Sequence, residues 1–122
     1  MAAATIAITE THNYSAHSRG YTMFGVASIG ASPLTYTTGG IPMSLASSKT
    51  RASKVPLYVR LFGQSIIPAQ GCFDYVYIPG STRDNGLVKI FSSGAELVGG
   101  SAIPVGVSSD IVNFEAFFKG TV

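Results

Sequence analysis

Short runs that alternate apolar and polar side chains recur along the chain, separated by turn-forming residues. A period of two places successive side chains on opposite faces of a β-strand, and none of these runs has the length of an ordinary helix. The pattern predicts six to eight strands, with candidates at residues 5–11, 19–29, 55–62, 72–78, 87–91, 103–107 and 111–119. We therefore expect an all-β chain, folded as a sandwich or barrel with long loops.

The strongest hairpin signal joins strands 72–78 and 87–91, because the residues between them are rich in turn formers. On the first of these strands, Tyr75 and Tyr77 share one face, and Val76 and Ile78 lie on the other face together with Asp74. Taking the more apolar face of each strand as the inward one predicts the core. Its members are Ile6, Ile8, Val59, Leu61, Val76, Ile78, Val88, Ile90, Phe114 and Phe118.

The length and composition indicate one domain that is short of charge. The 122 residues leave room for a single β domain, residues 1–122. Apolar residues make up 46% of the chain and charged residues 11%, where soluble domains usually carry roughly a quarter. So few charges cannot cover the roughly 6,000 Å² surface of a monomer of this mass. The composition favours a subunit that is covered by neighbouring proteins. An extracellular domain coated with Ser and Thr remains the alternative.

Basic residues are concentrated in one segment of the chain. Lys49, Arg51 and Lys54 lie within six positions, while the whole chain carries a net charge of only +2. Such a segment can contact nucleic acid or an acidic protein surface. No aromatic side chains are interleaved with it, as they are in proteins that bind single strands. We therefore expect no nucleic-acid partner.

The N-terminus and the single cysteine carry little targeting information. Residues 1–4 are Met-Ala-Ala-Ala, without the basic stretch and apolar core of a signal peptide, and no apolar window is long enough to cross a membrane. Cys72 is the only cysteine, so an intramolecular disulfide cannot form. These features predict folding in a reducing cytoplasm, with no membrane partner.

The residue types that carry catalysis are scattered rather than grouped. The six acidic residues show no paired spacing in the sequence. His12 and His17 are five positions apart, which does not suit metal binding from a helix or a strand. Cys72 stands between Gly71 and Phe73, a setting that does not activate a thiol. We expect no enzymatic activity, no cofactor and no metal site.

The layout of the turns and strands resembles a known family. A turn at residues 37–40, Thr-Thr-Gly-Gly, is followed by the aromatic hairpin, by Glu96 and Leu97 in a loop, and by a closing strand that stops at Gly120. This order resembles the small capsid decoration, or cement, proteins of tailed bacteriophages. Residues 47–54 form a basic insertion relative to that layout.

The resemblance implies that the all-β sandwich or barrel is jelly-roll-like. It also implies a non-enzymatic structural protein that binds the outside of a phage capsid and stabilises contacts between capsomers. The expected location is the capsid exterior of the virion, and the expected partners are the major capsid protein and further copies of the chain, as a dimer or trimer. The alternative is a receptor- or carbohydrate-binding β module of a phage fibre or spike. Discriminating between the two needs imaging of where the protein sits on the particle.

Two parts of the sequence are candidates for the contacts with the capsid or between subunits. Residues 1–4 are small and uncharged, so they can lie extended against a neighbour as an added strand. The basic segment is not needed for the core, and the tyrosine face of strand 72–78 is a further candidate. The predicted contact residues are Ala2, Ala3, Ala4, Lys49, Arg51, Lys54, Tyr75 and Tyr77.

Overall fold

The computed structural model describes residues 2–16, 20–31, 33–45, 55–64 and 73–119. This part of the chain is nearly all β. Its strands are β1 (Ile6–Ala16), β2 (Gly20–Ile29), β3 (Ile41–Met43), β4 (Tyr58–Gly63), β5 (Phe73–Ile78), β6 (Gly86–Ser92), β7 (Ala95–Glu96) and β8 (Val112–Lys119). One short helix, α1 (Val105–Ser108), lies where the sequence predicted a weak strand at 103–107. That prediction is wrong, because the chain turns after Pro104, whose carbonyl accepts hydrogen bonds from Val107 and Ser108.

The strands form one antiparallel sheet in the order β1-β2-β8-β4-β5-β6-β3, and β7 pairs with β6. The sheet curls into a nearly closed barrel, so that its two ends, β1 and β3, lie near each other. The prediction of an all-β sandwich or barrel is confirmed in its barrel form. The predicted hairpin is also confirmed, since β5 and β6 pair from Phe73 opposite Ser92 to Ile78 opposite Leu87.

The N-terminal residues pair with this chain's own loop. The amide of Ala4 donates to the carbonyl of Thr35 at 2.8 Å, and the amide of Thr35 donates to the carbonyl of Ala2 at 3.1 Å. Ala3 and Thr35 form a parallel bridge, and Ala4 is buried in the core. The expected extended conformation is present. These backbone contacts are all with this chain's own loop, and the expected contact of the segment with a neighbour stays a prediction.

The core fills the barrel with side chains from the inward faces of the strands. Val88, Ile90, Phe114 and Phe118 are buried as predicted. The predicted core residues of β1 and β4 are half-buried and pack against this cluster: Ile6, Ile8, Val59 and Leu61. The sequence pattern did not identify four of the largest core side chains: Met23, Tyr36, Ile41 and Met43.

The two faces of β5 are the reverse of the prediction. Tyr75 and Tyr77 are each only 8% exposed, whereas Val76 is 43% and Ile78 37% exposed. The tyrosine rings carry more apolar surface than the side chains of Val76 and Ile78, so burying the rings removes more apolar surface from water. A predicted core role for Val76 and Ile78 is therefore wrong.

Gly25 lets β2 lie close to both of its neighbouring strands, because a Cβ there would collide with the Thr9 carbonyl oxygen of β1 and with the Phe114 ring of β8. Gly25 of β2 lies opposite Phe114 of β8, and a Cβ built on Gly25 would stand 2.7 Å from the Phe114 ring. On the other side, β1 shifts its register between Glu10 and His12, opposite Gly25. The bulge and the glycine together let the sheet bend around the buried phenylalanine.

Candidate assembly surface

The most prominent surface of the barrel is the outward side of three adjacent strands. We call it the outer face. It consists of Phe117 and Glu115 on β8, Tyr58, Arg60 and Phe62 on β4, and Val76 and Ile78 on β5. These side chains point outward because their neighbours in sequence fill the core, as the alternation of a strand requires.

The strand register arranges the outer face in rows. In the central row, Arg60 lies between Glu115 on one side and Val76 on the other. In the next row, Tyr58 pairs with Phe117, and continuing the β4–β5 register places Ile78 on its far side. The result is a charged centre flanked by aromatic and aliphatic side chains.

Contacts within the outer face hold its side chains in place. The rings of Tyr58 and Phe117 are stacked, with centroids 5.8 Å apart and planes 18° from parallel. The Arg60 guanidinium lies 5.1 Å above the Phe62 ring and 3.7 Å from a Glu115 carboxylate oxygen. Exposed ion pairs and cation–π contacts each contribute only about 0.2–1 kcal/mol. They fix the geometry of the surface more than they stabilise the fold.

The outer face is unusually apolar for a surface. Tyr58 is 43% and Phe62 44% exposed, beside the exposed Val76 and Ile78 already noted. Leu57, directly before β4, is also exposed. Monomeric proteins rarely expose contiguous apolar patches larger than a few hundred Å², and patches near that size are often binding surfaces. The outer face is therefore a candidate surface for binding another protein.

A buried polar cluster lies at the other side of the barrel, between β3 and β7. The Tyr36 hydroxyl donates to the Glu96 carboxylate at 2.6 Å and accepts from the Ile90 amide at 3.3 Å. The Gly39 amide also donates to Glu96, at 2.9 Å. Gly39 and Gly40 both have positive φ, which a glycine adopts without strain. The Gly-Gly turn and the Glu96 loop, which are far apart in the sequence, are thus joined.

This cluster perturbs the titration of both of its ionisable groups. Burial, and then the hydrogen bond to Glu96, raises the pKa of Tyr36 to about 12. The hydrogen bonds from Tyr36 and from the Gly39 amide lower the pKa of Glu96 below its usual value. The carboxylate accepts from two donors and the tyrosine stays protonated, so the two groups form a structural hydrogen bond between the loop before β3 and β7. Neither group is poised to exchange a proton near neutral pH.

A second carboxylate ties β5 to the loop before β8. Asp110 accepts a hydrogen bond from the Tyr75 hydroxyl at 3.3 Å and from the Gln64 amide at 2.9 Å. Burial, and then the negative charge of Asp110, raises the pKa of Tyr75. This arrangement explains why Tyr75 is directed inward, since its ring packs in the core while its hydroxyl reaches a partner at the barrel end.

The hydroxyl of Tyr77 is placed differently. Its oxygen is buried and has no hydrogen-bond partner among the residues that the structure describes. The Tyr77 ring lies against Gly86, where any larger residue would collide with it. Burial, and then the charge of Asp84, raises the pKa of Tyr77. An unpaired buried hydroxyl carries a cost in stability, so Tyr77 is retained for its volume.

The predicted contact residues are therefore dispersed. Ala4, Tyr75 and Tyr77 are buried, which corrects their prediction as surface contacts. Ala2 and Ala3 are exposed but lie on this chain's own Thr35 loop. The remaining three predicted residues lie outside the described part of the chain: Lys49, Arg51 and Lys54.

Sequence reasoning missed the aromatic residues of the outer face as a binding surface. The signal was present in β4, where Tyr58 and Phe62 flank Arg60 on the face opposite the core residues. Two aromatic rings on the outward face of one strand are not needed for the core. Phe117 could not be added from the sequence alone, because only the β4–β8 pairing brings it beside Tyr58.

Within the described ranges, no group of three or more His, Cys, Asp or Glu side chains is arranged to hold a metal ion. Nor does any helix there have the length and apolar character needed to cross a bilayer. Comparisons of the chain with protein-family models, with curated proteins and with solved structures find no match.

Proposed function

We propose that this chain is a non-enzymatic structural protein that binds the outside of a phage capsid and stabilises contacts between capsomers. The observation that supports the proposal is the outer face, whose exposed aromatic and aliphatic side chains need cover from another protein. The low charge content of the chain supports it further, because a surface with few charges suits a subunit within an assembly.

The physical advantage of such a protein is multivalency. A small domain that joins further copies of itself and also contacts the shell can bridge several capsomers at once. Each contact then has to be only modest, because the second binding event takes place at a high effective concentration. An outer face of a few hundred Å² is smaller than the standard interface of about 800 Å² on each partner, so a single contact through it is weak by itself.

The basic segment supplies a separate candidate contact with the shell. Lys49, Arg51 and Lys54 lie outside the described residues, so the proposal for them rests on their charge. The described residues on both sides are anchored to the barrel, since Leu45 donates its amide to the Arg83 carbonyl and Leu57 donates its amide to the Phe117 carbonyl. The basic segment is thus flanked on both sides by residues that are held on the barrel.

The test is co-sedimentation of the purified protein with undecorated capsid shells of the phage whose genome encodes the chain. We expect the wild type to pellet with the shells. The triple variant with Ser at positions 49, 51 and 54 should keep the circular dichroism spectrum of the wild type and bind less, with the larger loss at low salt. Val98→Ser is the matched control, because Val98 is a highly exposed apolar residue outside the outer face.

Two outcomes would contradict the proposal. If the folded wild type does not pellet with the shells at any salt concentration, capsid binding is wrong. If electron microscopy with a gold-labelled chain marks fibres or spikes instead of the shell, the alternative of a receptor- or carbohydrate-binding module takes its place.

A further inference from the structure

We infer that the outer face binds the outer face of a second copy of this chain, across a two-fold axis that runs parallel to the strands between β4 and β8. The inference rests on the proposed function, since it assigns a partner to the same surface. It adds which surface joins the subunits and by which symmetry.

The positions of the residues follow from the strand register. A two-fold axis between β4 and β8 places each residue of β4 opposite the β8 residue with which it pairs, but on the other copy. Arg60 then faces Glu115 of the second copy, and Tyr58 faces Phe117 of the second copy. Val76, one strand further out, faces Phe24 on the β2 strand of the second copy.

Charge complementarity selects this axis. Arg60 and Glu115 already lie 3.7 Å apart within one chain, so two chains related by this axis bring together two guanidinium groups and two carboxylates in alternation. An axis along β4 itself would place Arg60 against Arg60 of the second copy. Like charges in direct opposition are strongly unfavourable in an interface, and complementary ones set its register.

The apolar residues of the outer face agree with the same axis. Tyr58 and Phe117 are stacked within each chain, so the two copies bring four aromatic rings together. Aromatic side chains and arginine are the residue types enriched in the centre of protein interfaces. The pairing covers the apolar side chains and leaves Asp74, on the outward face of β5, toward the rim.

The size of the surface predicts a weak dimer. The three strands of the outer face and the adjoining β2 are spaced by about 4.8 Å, and five residues along a strand extend about 17 Å at 3.4 Å per residue, so the surface spans roughly 15 by 17 Å. Standard interfaces cover about 800 Å² on each partner, and two convex barrels meet over less than that. We therefore expect a dissociation constant in the micromolar range, which is compatible with stabilisation by avidity on a capsid.

The experiment is sedimentation equilibrium of the full chain with matched charge variants. Arg60→Glu gathers four carboxylates at the axis of a homodimer, and Glu115→Arg gathers four guanidinium groups. Each variant alone should weaken self-association at least tenfold. An equimolar mixture of the two should associate again, because the acidic centre of one variant faces the basic centre of the other.

The double variant, Arg60→Glu with Glu115→Arg, should form homodimers again. Both residues point outward, so circular dichroism should show unchanged folds, and the uncharged Tyr58→Ser variant replaces any charge variant that does not fold. A wild type that stays monomeric at millimolar concentration would overturn the inference. So would single variants that dimerise as well as the wild type, or a mixture that stays monomeric.

The outcomes also separate this inference from the proposed function. If the charge variants show the predicted loss and recovery of dimers while the wild type ignores capsid shells, the dimer stands and capsid binding is wrong. If the wild type pellets with shells but is monomeric in solution at every concentration, capsid binding stands and the dimer is wrong.

Discussion

Replacing Tyr36 with Phe should destabilise the barrel measurably, because the Tyr36 hydroxyl completes the edge of the sheet. Along β6, backbone partners come from β3 at one end and from β7 at the other. Ile90 lies between those two strands, and its amide donates to the Tyr36 hydroxyl instead of to a carbonyl. The ring itself is 1% exposed, so Phe fits the same space and only the hydroxyl is lost.

The size of the effect follows from the group left without a partner. Removing the hydroxyl leaves the buried Ile90 amide without its acceptor, which costs about 1–3 kcal/mol. The hydrogen bond from Tyr36 to Glu96 is lost as well, and its loss adds a pH-dependent contribution to the fall in the free energy of unfolding. Because the folded pKa of Glu96 lies below the ordinary value of 4.5, its contribution is present above pH 4.5 and disappears as pH falls through the folded pKa.

The measurement is urea unfolding followed by far-ultraviolet circular dichroism, since the chain contains no Trp. We expect the free energy of unfolding of Tyr36→Phe to fall by about 1–3 kcal/mol at pH 7. The slope of the free energy of unfolding against urea concentration should be the same as in the wild type. The difference from the wild type should shrink as the pH falls below 4.5 and through the folded pKa of Glu96, where the carboxylate takes up a proton. Tyr58→Phe is the matched control, because Tyr58 is an exposed tyrosine, and it should change stability by less than about 0.5 kcal/mol.

Two results would refute this reasoning. If Tyr36→Phe unfolds within about 0.5 kcal/mol of the wild type, the Ile90 amide does not depend on the hydroxyl. If the difference between the two proteins stays the same from pH 7 down to the most acidic pH at which both still fold, the carboxylate of Glu96 is not held by Tyr36 in solution.

Three further predictions concern the core. In urea unfolding, Phe114→Ala should lower the free energy of unfolding by about 3–5 kcal/mol, since it leaves a cavity. Gly25→Ala should lower it by about 1–3 kcal/mol, since it forces a Cβ against the Phe114 ring. For either variant, a change below about 0.5 kcal/mol would contradict the packing. Stability should be full below pH 10 and fall as pH rises toward 12, because the pKa of Tyr36 is raised from 10.0 to about 12 and burial raises those of Tyr75 and Tyr77; tyrosinate absorbance that reaches the full value for all six tyrosines before unfolding would argue otherwise. Tyr77→Phe should leave stability unchanged or raise it, because the buried hydroxyl has no described partner, and a loss above about 1 kcal/mol would show that it has one.

The strand pattern was enough to predict the fold class. Period-two alternation and turn residues are local properties, so the β5–β6 hairpin and the closing strand β8 are found close to their predicted positions. In β8 the alternation also assigns the buried face correctly, with Phe114 and Phe118 inside the barrel. This works because the inward face of β8 is purely apolar and the outward face contains Asn113 and Glu115.

Other parts of the structure depend on contacts that a local pattern does not contain. The short strand β3 contains only three residues and is defined by its pairing with β6. The N-terminal residues find their partner at Thr35, more than thirty positions away. The hydrogen bond between Tyr36 and Glu96 joins residues sixty positions apart, and nothing in either segment alone indicates it. Such long-range pairings determine how the barrel closes and where its loops are held.

The reversed faces of β5 and the missed outer face have one physical origin. The sequence rule places aliphatic residues inward and allows tyrosine to face water, because tyrosine has a polar hydroxyl. In this barrel Tyr75 satisfies its hydroxyl at Asp110 and fills the core with its ring, so Val76 and Ile78 are left outside beside Tyr58. Burying the tyrosines thus extends the exposed apolar surface of β4 across β5. A monomer gains nothing from aliphatic side chains in water, whereas a subunit that covers this surface with another protein gains their burial. The inward tyrosines of β5, which make the sequence-based assignment of its buried face wrong, therefore also support the proposal of assembly through the outer face.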